Sequence, residues 1–190
     1  MRWLWITLLI VLIVFGGGYF LLKTSSPARD FTLVPTNNLS PTMQLTSPHF
    51  SHNGRIPAKY TCDGDDISPA LTIEDIPEEA QSFVLIVHDP DAPKDGGWTH
   101  WTVWNIDPAT RSIEEGRAPE GAVEGVTDFE EKGYGGPCPP SGTHHYNFTL
   151  YALDTTLNLA SETSKDSLEA ALEGHVLDRV ILTGLYSREE

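Results

Sequence analysis

Apolar residues recur along most of this chain with the alternating period of β-strands, and polar side chains crowd together where the alternation stops. Residues 82–87 form a short, β-branched apolar run, the pattern of a strand buried on both faces. Residues 99–106 read as another strand, with His100, Thr102 and Trp104 on one face and Trp101, Val103 and Asn105 on the other. Both faces are bulky, which predicts an interior position. Between the two runs lies His88-Asp89-Pro90-Asp91-Ala92-Pro93, whose prolines fix φ and remove backbone donors. The loop is therefore predicted to be stiff, and in extended chain Asp89 and Asp91 would point to the same side.

The same arrangement recurs further on. Residues 133–142 are rich in glycine and proline and lead into a strand over 143–153, where alternation places His144 and Tyr146 on one face and His145 and Asn147 on the other. Asp166-Ser167-Leu168-Glu169 has the form of a capping box, and Leu168, Ala171 and Leu172 make a narrow apolar stripe before Gly174, which predicts one short helix. Residues 176–186 return as a strand, with Gly184 a point of close backbone approach. Residues 107–132 turn to Glu, Gly, Pro and Ala and are predicted to be an irregular excursion, disordered in part. The expected fold is mainly β with one or two short helices.

The first residues are a different material. Residues 3–15 are almost unbroken apolar sequence, followed by Gly16-Gly17-Gly18 and Tyr19-Phe20-Leu21-Leu22-Lys23. About twenty apolar residues can span a bilayer, whereas a cleaved signal has a shorter core and an Ala-x-Ala-like exit. Residues 1–23 are accordingly predicted to be a transmembrane anchor or signal segment, 24–42 a flexible linker, and 43–190 the folded domain. The localisation this implies is the membrane, through a single-pass N-terminal anchor with the domain outside the cytoplasm.

Charge narrows the partners. With 12 basic and 27 acidic residues the formal net charge is −15, which disfavours nucleic acid or an anionic surface as partner. Cys62 and Cys138 are the two cysteines; they make either a single disulfide or two buried thiols. Asp89, Asp91, His100 and His144 are residue types that ligate metals, but no tight ligand spacing accompanies them, and no cofactor is predicted. Neither Ser141 nor Cys138 sits in a recognised nucleophile context. Asn147-Phe148-Thr149 matches a glycosylation acceptor by chance, His175 fits a helix C-terminus, and Trp98, Trp101 and Trp104 read as core, with Trp98 at a pocket mouth.

The Asp-Pro-Asp-Ala-Pro loop with the following His100-Trp101, and Gly136-Pro137-Cys138-Pro139-Pro140-Ser141-Gly142-Thr143-His144-His145-Tyr146, resemble the two signature regions of the phosphatidylethanolamine-binding protein family. Tyr60-Thr61-Cys62-Asp63-Gly64-Asp65-Asp66-Ile67-Ser68-Pro69-Ala70-Leu71, and 174–177 through 184–186, are similar to its bacterial and archaeal Raf-kinase-inhibitor-like branch. The resemblance covers about residues 43–188. It implies antiparallel sheets, a large one packed on a smaller one, and a pocket for phosphate-bearing or other small anionic groups. Carried over residue by residue, Asp89 and Asp91 become the acidic pocket pair and His100 the histidine of the next strand. Pro139 and Pro140 become wall, completed by His144 and Tyr146.

Bare carboxylates repel an anion at low dielectric, so donors are expected from a protonated His100 or His144, the Tyr146 hydroxyl, and backbone N–H groups near Gly136 or Gly142. His145 stands where animal members carry Arg, and their longer C-terminal helix is missing, so roles that depend on it do not transfer. Some relatives inhibit serine proteases or regulate kinases by binding. The reading is a membrane-anchored binding protein, not an enzyme, for a small anionic ligand, with a protease or signalling protein as the candidate protein partner. The alternative is a hydrolase of a phosphorylated or acyl substrate that uses the Asp/His pocket.

Overall fold

In the computed structural model, which describes residues 42–188, strands form where the apolar runs predict them. They are β1 (Gln44–Thr46), β2 (Gly54–Arg55), β3 (Leu71–Glu74), β4 (Ser82–Asp89), β5 (Trp98–Ile106), β6 (Ser112–Ile113), β7 (Val123–Glu124), β8 (His144–Leu153) and β9 (Val176–Tyr186), with helix α1 (Lys165–Leu172) before the last. A three-stranded sheet runs β1-β3-β6 and a six-stranded sheet β2-β9-β8-β4-β5-β7. Every pairing is antiparallel except β2 with β9.

The continuous apolar run of β4 follows from its place in the middle layer. Phe83, Leu85 and Val87 pack with Leu45, Ile73 and Ile113 of the small sheet. Val84 and Ile86 face the opposite way, onto Leu168 and Leu172 of α1. A strand covered on both faces has no position left for a polar residue. Ser164 caps α1, its side chain accepting from the Ser167 N–H at 3.3 Å. The cap thus lies two positions before the predicted Asp166, which instead sits in the first turn, where its charge faces the positive helix end. Gly184 is where β9 meets the chain around β2: a Cβ there would lie 2.5 Å from the buried Ile56 side chain.

Two expectations about β5 and its surroundings change. Val87 pairs with Trp101 but His88 with Thr99, so β5 carries one extra residue, His100; a second extra residue falls between Val103 and Ile106. These are β-bulges, and each reverses the alternation beyond it. Strict alternation therefore misplaces His100 and Ile106: His100 lies against Tyr146, and Ile106 joins Trp101 and Val103 in the core under the small sheet. The excursion over 107–132 is ordered, giving β6 to one sheet, β7 to the other, and a bridge between Val126 and Lys132. Pairings of two residues are too short to leave a periodic signal.

The membrane localisation is corrected. Among the described residues no helix is long and apolar enough to cross a membrane, and α1 has 8 residues against the roughly 20 that a span needs. The anchor or signal segment over 1–23, and all but the last residue of the linker, lie outside the described residues.

Candidate functional site

At one end of the large sheet, where β4 stops and β5 and β8 begin, the layers part around a cavity of about 330 Å³. Its floor comes from β8. Alternation carries His144 and Tyr146 to the face that Phe148 and Leu150 present to the core, and both line the cavity. Asp89, the last residue of β4, is 3% exposed, and its carboxylate accepts from His144 Nδ1 at 2.7 Å and from the Asp91 N–H at 2.8 Å. That pairing fixes the imidazole with Nδ1–H on the carboxylate and leaves Nε2 as the ring nitrogen free to address the cavity.

Tyr146 is 1% exposed, and its hydroxyl meets no partner at full hydrogen-bond geometry among the described residues, although the Asp89 carboxylate and the Cys138 backbone lie near enough to bear on it. Burial first, and then the charge and hydrogen-bonding pull of Asp89, hold the phenol well above its ordinary pKa against a smaller opposing effect of the Cys138 backbone, so it stays a donor. The rings of His100 and Tyr146 meet edge-on with centroids 5.1 Å apart. His100 Nδ1 lies 2.6 Å from the Gly135 carbonyl, which can only accept, so Nδ1 carries the hydrogen and Nε2 is an acceptor in the neutral ring. Burial outweighs that carbonyl and the Asp89 charge and pushes the His100 pKa below its ordinary value. His100 is thus harder to protonate than an ordinary histidine, which makes it the weaker of the two expected imidazolium donors.

The two aspartates part company. Asp91 does not line the cavity: it is exposed, and its carboxylate accepts from the His145 N–H at 2.8 Å and from His145 Nδ1 at 2.6 Å. Those bonds hold the Asp91 carboxyl below its ordinary pKa. The assumption that failed is extended backbone, because β4 ends at Asp89 and the chain turns there. Consecutive histidines on opposite faces of β8 are each held by one aspartate, His144 by Asp89 inside and His145 by Asp91 outside.

Pro139 and Pro140 form the wall opposite, next to Cys138. Cys62 and Cys138 are joined by a disulfide, with Cα atoms 5.5 Å apart. Around it the Cys62 N–H donates to the Pro137 carbonyl at 3.2 Å, and the Tyr134 hydroxyl to the Tyr60 carbonyl at 3.0 Å. The wall is therefore stapled to a loop far away in sequence. The Gly136 N–H, expected as a donor to the ligand, is bonded to Asp66 Oδ1 at 2.6 Å and faces away from that role.

Sequence reasoning missed Lys94 and Phe129. Lys94 follows the stiff loop, lines the cavity, lies 5.2 Å above the Trp98 ring and pairs with Asp128 at 2.6 Å. A lone base just after a proline-rich acidic loop was the available signal. Phe129 belongs to the segment read as irregular, and nothing in its neighbourhood alternates. Among the described residues no group of three or more His, Cys, Asp and Glu is placed to hold a metal.

A large antiparallel sheet packed on a smaller one, with a preformed cavity at one end, defines a mainly β protein with a ligand-sized site. The chain belongs to the phosphatidylethanolamine-binding protein family, whose model matches residues 46–187. It is similar to a UPF0098 protein of Methanothermobacter thermautotrophicus, 50% identical over 151 residues, covering 77% of this chain and 99% of that one. Among solved structures it resembles a phosphatidylethanolamine-binding protein homologue from Chlamydia trachomatis, with TM-score 0.75 and 43% identity, over 78% of this chain and 99% of that one. Escherichia coli YbcL, described as a member of the mammalian family, matches with TM-score 0.74 and 32% identity, over 78% of this chain and all of that one (100%).

Proposed function

We propose that the cavity receives one small anionic group, of the phosphate or carboxylate type, and that the protein acts by binding it without turnover. The observation that carries this reading is the buried Tyr146 hydroxyl, which lines the cavity and meets no partner at full hydrogen-bond geometry among the described residues, with the Asp89 carboxylate and the Cys138 backbone as its polar neighbours. A buried donor left unmade costs about 1–3 kcal/mol, and a ligand oxygen at that point recovers it. His144 Nε2 is the second group on the floor. Protonated, it donates to an anion while Asp89 balances its charge through Nδ1. Asp89 lines the cavity and in this role orients the imidazole, its charge balanced by the protonated ring. Lys94 adds a positive charge at the rim.

Turnover needs a nucleophile or an activated water. Cys138 is closed in a disulfide, and among the described residues no hydroxyl or thiol is hydrogen-bonded to the ring nitrogens of His100 or His144.

Isothermal titration of the full chain with phosphate, phosphoethanolamine and acetate tests the reading. Saturable 1:1 binding is expected, weakened about tenfold by Tyr146→Phe, in line with a lost hydrogen bond to a charged group, and more by His144→Ala. Affinity unchanged in both variants counts against the site. Hydrolysis of a phosphate monoester or an acyl ester, abolished by His144→Ala, overturns the claim of binding without turnover.

A further inference from the structure

We infer, resting on that anion-binding reading, that the ligand carries a flat apolar group attached to its anionic end, and that Phe129 and Trp98 receive it. Apart from Lys94 at the rim, the cavity's ionisable side chains are Asp89, His100, His144 and Tyr146. Above them the lining is Ala92, Pro93, Pro139 and Pro140, and the mouth is framed by Trp98 and Phe129, whose ring centroids are 5.4 Å apart at 71°. At about 330 Å³ the space equals roughly ten waters at their liquid volume, far more than a phosphate fills. It lies at the lower end of the range for organic ligands, about 300–1,000 Å³.

Phe129 is held in place, not merely left outside. It is 40% exposed, one of a few large apolar side chains left so open among the described residues. Its ring also meets His100 edge-on at 5.4 Å. The turn that presents it is closed by Thr127, whose N–H donates to the Glu131 carbonyl at 2.9 Å and whose hydroxyl accepts from the Phe129 N–H at 3.3 Å. The next residue, Glu130, adopts φ of +63°, a conformation that side chains other than glycine and asparagine rarely take. Beneath the ring, a Cβ on Gly135 would lie 2.4 Å from Phe129 Cε2, so the ring rests on bare backbone. Local strain and a residue without a side chain thus keep an aromatic ring exposed at a cavity mouth, where a second flat apolar group gains from edge-to-face or offset packing.

The test compares phenyl phosphate, inorganic phosphate and phosphoethanolamine by titration of the full chain at one pH and ionic strength. Phenyl phosphate is expected to bind about tenfold more tightly than inorganic phosphate, and Phe129→Ala to bring the ratio of the two dissociation constants down to about two. Saturation-transfer NMR on the unaltered chain gives an independent readout, with the phenyl protons receiving the strongest transfer. Equal affinity for phenyl phosphate and phosphate, tighter binding of phosphoethanolamine, or a ratio untouched by Phe129→Ala overturns this inference and leaves the anion site standing. Failure of all three compounds to bind overturns both.

Discussion

Strand β5 is interrupted twice, and the two interruptions differ in one respect that separates scaffold from site. At Asn105 the backbone takes φ of +56°, and the side chain is fully engaged: Nδ2 donates to the Leu157 carbonyl at 2.8 Å, and Oδ1 accepts from the Leu157 N–H at 2.8 Å. At His100 the extra residue bonds Gly135 through Nδ1 only, and its ring lines the cavity. The Tyr146 hydroxyl beside it meets no partner at full hydrogen-bond geometry among the described residues. The first bulge closes the Asn105 side chain on the protein itself, although the neighbouring Trp104 Nε1 is buried without a partner among the described residues; the second turns a side chain toward a cavity. Bulges re-aim side chains in either case. Only the second opens onto a space that a ligand can enter.

The largest effect expected on this contrast comes from the staple that holds the Gly135 side of the cavity. Replacing both Cys62 and Cys138 by Ser removes a crosslink with sequence separation 76, worth about 4 kcal/mol in the chain-entropy model. Denaturant unfolding should register that loss, and phosphate affinity should fall with it as the wall of Pro139 and Pro140 loosens. Unaltered affinity in the double variant would show that the wall keeps its place without the bond.

Asn105→Ala breaks the closed bulge. It removes both Leu157 bonds and leaves a residue with a Cβ at positive φ, for a loss of about 2–3 kcal/mol. Ligand affinity should not change, because every bond lost is internal. His100→Ala reverses the pattern. It is expected to cost less stability, about 1–2 kcal/mol, and to weaken ligand binding severalfold. If the two variants behave alike in both assays, the distinction drawn here between the bulges fails.

The smallest effect is a pH dependence. Burial lowers the pKa of His100, and burial and then Lys165 lower that of His88. An imidazole whose pKa is lower folded than unfolded takes up more protons in the unfolded chain. Its contribution to stability is therefore present above the ordinary value of 6.5 and is lost as pH falls through the folded-state value. Unfolding midpoints should decline as pH drops below about 6.5, with a shallower decline in His100→Gln. A midpoint that rises on acidification in that range would contradict the assigned direction.

How much of this was legible in the sequence follows from the same contrast. β4 and β8 were readable because they are regular: a strand covered on both faces shows an unbroken apolar run, and His144 and Tyr146 fall on one face by counting in twos. Asp89, Pro139 and Pro140 reach the cavity as the family resemblance implies. Asp91 does not, since the turn after Asp89 hands it to His145. His100 reaches the cavity through a bulge, which depends on the partner strand's register and leaves no mark in β5 itself. Phe129 and Lys94 are set by an irregular segment and a loop, where no period operates. The apolar run near the amino terminus suggested a membrane location, but composition alone carried it, and no helix among the described residues supports it.

Side-chain nitrogen NMR of the histidines in the full chain tests the central claim most directly. On addition of phosphate, the His144 Nε2 resonance should move to its bound position in a saturable way, while those of His145 and His175, held outside the cavity by Asp91 and Asp154, stay in place. A His144 signal that does not respond, with changes spread over the exposed histidines instead, would contradict the account.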